Sequence, residues 1–264
     1  MTLQSRLMHD PTPQVSADRA LTPYRAADLP TLPEEVPALD ELFSFMAQAE
    51  LRFESLRMRI VERQITSHGE EPVTHDIWLR HTGFAKVVST RGASGDGDYD
   101  IWVCDGQTVS TFNALGRTAT RRRAPRAPRG LDDVTLPRHA RVYFPQTALP
   151  NESIADTFVH PNGLCNNVLR TGTVYRTGTA ALAGGRETML LRCNHPRSSQ
   201  LLLDRPDHWL EVGIDSQTGL LLLLAEHVGD RITRHAEAMS VRLDENIPDS
   251  AFTIHTSADT RTIY

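Results

Sequence analysis

Gly219-Leu220-Leu221-Leu222-Leu223-Leu224-Ala225-Glu226, "GLLLLLAE", is the stretch on which the fold turns. A strand with one wet face alternates apolar and polar residues, and this one does not. A membrane-spanning helix needs about 20 apolar residues, and this run is far shorter. Both of its faces must therefore be covered. Leu220, Leu222 and Leu224 on one side and Leu221 and Leu223 on the other suit a central strand, with helices over one face and an insert, lid or partner over the second. The alternative is a fully buried strand in a sandwich.

Alternating segments surround the run. "HWLEVGID" (208–215) precedes it and "DRITRHAEAMSVRL" (230–243) follows, with "DSQTG" and Gly229-Asp230 as turns; "TGTVYRTGTAAL" (171–182) and "ETMLLRC" (187–193) come before. Nearer the N-terminus, Leu56, Met58 and Ile60 alternate with Arg57 and Arg59 in "SLRMRIVERQI". "HDIWLRH" (75–81), "FAKVVSTR" (84–91), "DYDIWVC" (98–104) and "QTVSTFNA" (107–114) continue as an antiparallel meander. Asp105-Gly106 between the last two predicts a hairpin through a type I′ turn, with positive φ at both central residues.

Ahead of the strands, Leu39, Leu42, Phe43, Met46, Ala49 and Phe53 recur at helical spacing opposite Asp40, Glu41, Ser44, Gln48 and Glu54. That predicts an amphipathic helix of about four turns beginning near Pro37. Residues 1–36 hold five prolines and no apolar period, so they are expected to form a flexible or extended arm. From 115 to about 150 the chain loosens into "GRTATRRRAPRAPRGLDD" and "LPRHARVYFPQTALP", a long surface connection with a short strand around Val142 to Phe144. "NESIADTFVHPNGLCNNVLR" predicts one or two short helices, with Asn151 as a cap and Pro161 ending the first. The expected organisation is an arm over 1–36 and one domain over 37–264, with 115–168 as an irregular Arg-rich insert. So many strands need a strongly curved sheet, or two sheets, with the helices against one side.

Composition narrows the function classes. The chain has 264 residues, 39% hydrophobic and 23% charged, and a net charge of -5, which gives no global attraction to nucleic acid or anionic membranes. The opening "MTLQSRLMHDPTPQ" lacks the basic segment and the roughly 7 to 15 apolar residues of a secretory signal, so the chain as written is expected to be cytoplasmic and not transmembrane. Cys104, Cys165 and Cys193 are too few for a disulfide framework; a Cys165–Cys193 bridge stays open if the protein is exported.

The order and wording of the C-terminal half resemble the LolA-like outer-membrane lipoprotein carrier superfamily, which includes the N-terminal domain of the RseB/MucB sigma-factor regulators and mycobacterial lipid-binding lipoproteins. The resemblance is carried by Ile214, Asp215, Thr218 and Gly219 (Ile-Asp-x-x-Thr-Gly), the Gly229-Asp230 turn, and Ile247, Pro248, Asp249 and Phe252 (Ile-Pro-Asp-x-x-Phe). The first helix, "LRMRIVERQ" and the hairpin of "DYDIWVCDGQTVSTFNALGR" fit as well, so the likeness covers roughly 37–258. Leu220 replaces the proline that commonly follows Thr-Gly, and the family's signal peptide or lipobox cysteine is not seen. The resemblance implies an α+β fold: an incomplete, strongly curved antiparallel barrel with helices on its concave side and a cavity for acyl chains. It also implies periplasmic or cell-surface work.

Each candidate site has a plain structural counterpart. Met46, Leu56, Met58, Ile60, Trp78 and Phe84 are the candidate cavity lining, or else ordinary core. Arg121, Arg122, Arg123, Arg126 and Arg129 are candidate contacts for an anionic head group or an acidic protein partner, or else a solvated loop; no interleaved aromatics support a nucleic-acid groove. His160, Cys165, Cys193 and His195 match no common zinc spacing, and Asp96, Asp98 and Asp100 begin like a calcium loop without its glycine and glutamate, so no metal and no cofactor are expected. Catalytic motifs are absent, while eleven dispersed histidines leave an assembled enzyme site open. The expected function is non-enzymatic binding or carriage of a lipid or lipoprotein acyl chain, the alternatives being a sensor module of the sigma-factor-regulator type and a cytoplasmic enzyme.

Overall fold

The computed structural model describes residues 37–66, 69–92, 97–124, 145–194, 208–255 and 260–263. The expected arm over 1–36, the strand around Val142 to Phe144, and Arg126, Arg129 and His195 lie outside them. Helix α1 (Leu39–Ala47) continues into a 3₁₀ turn (Ala49–Arg52), so the predicted four-turn helix is broken at Gln48. Then come β1 (Ser55–Thr66), β2 (Gly69–Arg80), β3 (Phe84–Arg91), β4 (Tyr99–Asp105), β5 (Thr108–Asn113) and β6 (Thr118–Arg123). Two short helices follow, α2 (Ile154–Val159) and α3 (Asn162–Asn167). The second group of strands is β7 (Thr173–Leu182), β8 (Arg186–Asn194), β9 (His208–Asp215), β10 (Leu221–Val228) and β11 (Arg231–Leu243), and β12 (Arg261–Ile263) comes last.

The twelve strands among the described residues form one sheet in the order β12-β6-β5-β4-β3-β2-β1-β11-β10-β9-β8-β7. Every pairing is antiparallel except β12 with β6, and the two ends do not meet, so the sheet is an incomplete barrel. The predicted N-terminal meander and the second run of strands join where β1 pairs with β11. Three helices lie on the concave face: α1 buries Leu42, Phe43, Phe45 and Met46, and α2 buries Ile154, Phe158 and Val159. Ser153, not Asn151, caps α2, its Oγ accepting the Asp156 N–H at 3.1 Å. Pro161 separates α2 from α3, as predicted.

β10 lies between β9 and β11 near the middle of the sheet. Leu220, Leu221, Leu222 and Leu224 all join the core beneath the helices, because a bulge between Leu221 and Leu223 breaks strict alternation. Leu223 lies beside Gly213, where the absent side chain leaves it room. The run is covered by helices, a bulge and a bare neighbour, and needs no second sheet.

The family-like motifs are structural. The Asp215 carboxylate is fully buried, takes two hydrogen bonds from Arg186 at 3.1 and 2.8 Å and accepts from the Thr218 N–H and hydroxyl. Gly219 has φ +80°, and a Cβ there would stand 3.0 Å from the Phe45 carbonyl and 3.1 Å from Met46 Cα, so glycine allows α1 to sit on the turn. Arg52 adds a tie by donating to the Phe45 carbonyl at 2.8 Å. Ile247 and Phe252 cover the outer face of the sheet, where Arg80 donates to the Ile247 carbonyl at 2.8 Å and to Asp249 at 2.6 Å.

Two details differ from the sequence reading. β6 is a strand within the supposed loose insert; Thr118, Ala119 and Thr120 pair with β5 and with β12, and their polar faces hid the signal. The Asp105-Gly106 hairpin forms without a type I′ turn: only Gly106 has positive φ, and the Asp105 carboxylate accepts the Gln107 and Thr108 N–H groups at 2.9 and 2.6 Å.

Candidate functional site

Antiparallel register lays the concave face of the N-terminal half out in rows. His75, Ser89, Asp100, Asn113 and Thr118 stand side by side across β2 to β6. The next row is Ile77, Val87, Trp102, Thr111 and Thr120, and the third Leu79, Ala85, Cys104, Val109 and Arg122. Polarity thus falls from the first row towards the third, and α1 and the core lie beyond.

A cleft of about 310 Å³ opens over the first two rows. Its floor includes His75, Ser89, Asp100 and Asn113 on the polar side and Val87 and Trp102 on the apolar side, and Pro150 and Ser153 lie across it. That volume is at the small end of the range for ligand pockets, roughly 300 to 1,000 Å³.

The polar row is internally wired. Glu62 on β1 is buried, and its carboxylate meets Arg234 Nε at 2.7 Å, Gln64 Nε2 at 3.0 Å and His75 Nε2 at 3.0 Å. Burial alone would raise the Glu62 pKa; hydrogen bonds and charge from His75 and Arg234 win and hold it at about 2. His75 Nδ1 lies 2.9 Å from Ser89 Oγ. Asp100 accepts from Asn113 Nδ2 at 2.7 Å and from Arg91 at 2.6 Å. Ser89, His75 and Glu62 form an acid–imidazole–hydroxyl line, yet Ser89 lies mid-strand with pairing on both sides. The amides beside it belong to the ladders and offer no oxyanion site.

The segment lying across the cleft is fastened by a second buried network. His160 Nδ1 is 2.8 Å from Asp156 Oδ1, and its Nε2 is 3.3 Å from Glu50 Oε2, near enough for charge attraction though outside hydrogen-bond alignment. Burial opposes a charge on His160, but the two carboxylates override it and raise its pKa to about 9. Glu50 accepts the Gln146 N–H at 2.9 Å; Thr147 Oγ1 accepts the Gly83 N–H at 3.0 Å and lies 2.8 Å from His81 Nδ1. Burial lowers the His81 pKa.

The structure divides the predicted lining. Met46, Leu56, Met58 and Ile60 share one core, at 0%, 0%, 3% and 0% exposure. A wall of an open cavity would keep surface that water can touch, so these four are sealed by α1 to α3 in this state. Trp78 and Phe84 lie on the opposite, outer face with Val103, Ile247 and Phe252, because they are one residue out of phase with Ile77 and Ala85. Arg121, Arg122 and Arg123 are exposed on β6, not in a loop, and alternation sends Arg122 to the concave face and the other two outward. They do not form one anion-binding cluster. Cys165 and Cys193 are buried free thiols, pushed up to about 12 and about 11 by burial. No metal-ligating cluster occurs among the described residues. Asp98 and Asp100 pair with Arg91. The cleft was missed because its side chains are single polar residues in alternating strands; only strand register brings them together.

Comparison with solved structures finds partial likenesses at low sequence identity. MucB matches at 12% identity over 84% of this chain with a TM-score of 0.45, and this chain spans 64% of the length of MucB. The lipoprotein LppX of Mycobacterium tuberculosis matches at 14% identity over 81% of this chain and 99% of its own, with a TM-score of 0.43. A LolA superfamily protein of Nitrosomonas europaea matches at 8% identity over 83% and 99%, with a TM-score of 0.33. No family model and no curated protein matches the chain in sequence. No described helix is long and apolar enough to cross a membrane.

Proposed function

We propose that this LolA-like chain is a non-enzymatic binding protein for an acyl-bearing molecule, a lipid or an acylated protein, taken up at the cleft under Pro150 and Ser153. The observation that carries this reading is the grading of the cleft floor from a polar row to Val87 and Trp102, next to the apolar core. A head group would rest on the polar row and the first carbons of a chain on the second, each buried methylene contributing about 0.8 kcal/mol. Met46, Leu56, Met58 and Ile60 would line the chain's further path once α2 and α3 move off β10 and α1.

Binding is tested by titrating the protein with pyrene-labelled ten-carbon acyl chains, one ending in glycerol and one in carboxylate. Saturable one-to-one binding of at least one is expected. Absence of saturable binding for both overturns the reading. A second reading, capture of an acidic protein partner, is favoured by Arg121 and Arg123 exposed together on the outer face of β6. Since β6 is part of the sheet, its test is Arg121→Glu with Arg123→Glu, not deletion.

A further inference from the structure

The atoms that face the cleft differ in what they offer a ligand. The ionised Glu62 carboxylate only accepts, so His75 Nε2 carries a proton and donates it to Glu62 across 3.0 Å. The other ring nitrogen, Nδ1, lies 2.9 Å from Ser89 Oγ and fixes the hydroxyl at the cleft floor. A hydroxyl oxygen has two lone pairs, so at least one on Ser89 stays open to the cleft. Beside it, the Asn113 amide group donates to Asp100 while its carbonyl oxygen accepts the Gly116 N–H, so Asn113 orients Asp100 and keeps one N–H for a ligand. Arg91 donates to the other Asp100 oxygen and to Asp98, leaving further Asp100 lone pairs open. The Ser153 hydroxyl is used as well, donating to the Pro150 carbonyl at 2.7 Å and accepting at the α2 cap. No lysine or arginine is among the described lining residues.

We infer that this cleft selects an uncharged, hydroxyl-bearing head, such as a glycerol or sugar, over a carboxylate or phosphate of the same chain length. Ser89 and Asp100 are the residues that set the preference, by accepting the ligand's hydroxyl protons. An anionic head would set its oxygens beside the Asp100 carboxylate with no lysine or arginine among the described lining residues to answer its charge, and would lose hydration that hydroxyl and amide donors replace only in part. The inference rests on the acyl-binding reading and adds the class of ligand.

The test compares 1-decanoylglycerol, decanoate and decyl phosphate by isothermal titration with the intact chain. The glycerol ester is expected to bind at least tenfold more tightly than either anion. Ser89→Ala should weaken the glycerol ester by about two- to tenfold, the worth of one neutral hydrogen bond, and leave the anions unchanged. Asp100→Asn should narrow the preference to less than threefold by removing an acceptor and freeing Arg91. Val87→Phe, which fills the apolar row, should weaken all three ligands alike, and thermal melts establish that each variant folds. Equal affinity for the three ligands, a preference for an anion, or an unchanged preference in Asp100→Asn overturns the head-group inference while leaving acyl binding intact. No binding of any of the three overturns acyl binding itself.

Discussion

His160 stands between two carboxylates in a space closed to water, and replacing it with glutamine should remove the pH dependence that it gives the fold. Folding lifts its pKa from 6.5 to about 9. At about 1.4 kcal/mol per pH unit, that preference for the protonated ring is worth up to about 3 kcal/mol. The folded-state pKa lies above the unfolded one, so the stabilisation is fully present below about pH 6.5 and is lost as pH rises through about 9. Urea unfolding followed by far-ultraviolet circular dichroism at pH 6.5 and pH 9.5 reads it directly. The natural chain should lose about 3 kcal/mol between the two, while His160→Gln should start lower and change by less than about 1 kcal/mol, since its amide does not titrate. Parallel pH curves for the two proteins would refute the reasoning, for they would mean that His160 is neutral in the fold and that the Asp156 and Glu50 contacts at 2.8 and 3.3 Å carry no charge.

Gly219→Ala should cost about 2 to 3 kcal/mol by denaturant unfolding, since positive φ alone costs about 1 to 2 kcal/mol and the new Cβ meets the Phe45 carbonyl at 3.0 Å. Glu62→Gln should flatten the acid limb of stability: the folded-state pKa of Glu62 is depressed, so its contribution is present above about pH 4.5 and lost as pH falls towards about 2. Trp102→Ala removes the aromatic side of the cleft and should weaken binding of 1-decanoylglycerol by about tenfold, read by titration. Arg121→Glu with Arg123→Glu, on the outer face, should leave that affinity within twofold.

The apolar periods carried most of the architecture in legible form. Phe84–Arg91 and His208–Asp215 are strands with the bounds that alternation alone assigns, and the spacing of Leu42, Phe43 and Met46 foretold the buried face of α1. β6 escaped because Thr118, Thr120 and Arg122 face inward and Ala119, Arg121 and Arg123 outward, so no apolar period marks it. Trp78 and Phe84 were grouped with Leu56 by hydrophobicity, but in a sheet phase decides the face, and one residue separates them from the core row. The cleft was the least visible feature. Ser89 and Asp100 belong to different strands and share no motif; only the register between β3 and β4 sets them side by side.

The most direct measurement of the central claim is photo-crosslinking with a decanoylglycerol whose chain carries a diazirine, followed by peptide mapping. Labels should fall on β3 to β5, around Val87 and Trp102, and on the residues about Pro150 and Ser153, and should fade with excess unlabelled ester. Labels confined to the outer face around Trp78, Phe84 and Phe252, or labels that excess ester does not displace, would contradict it.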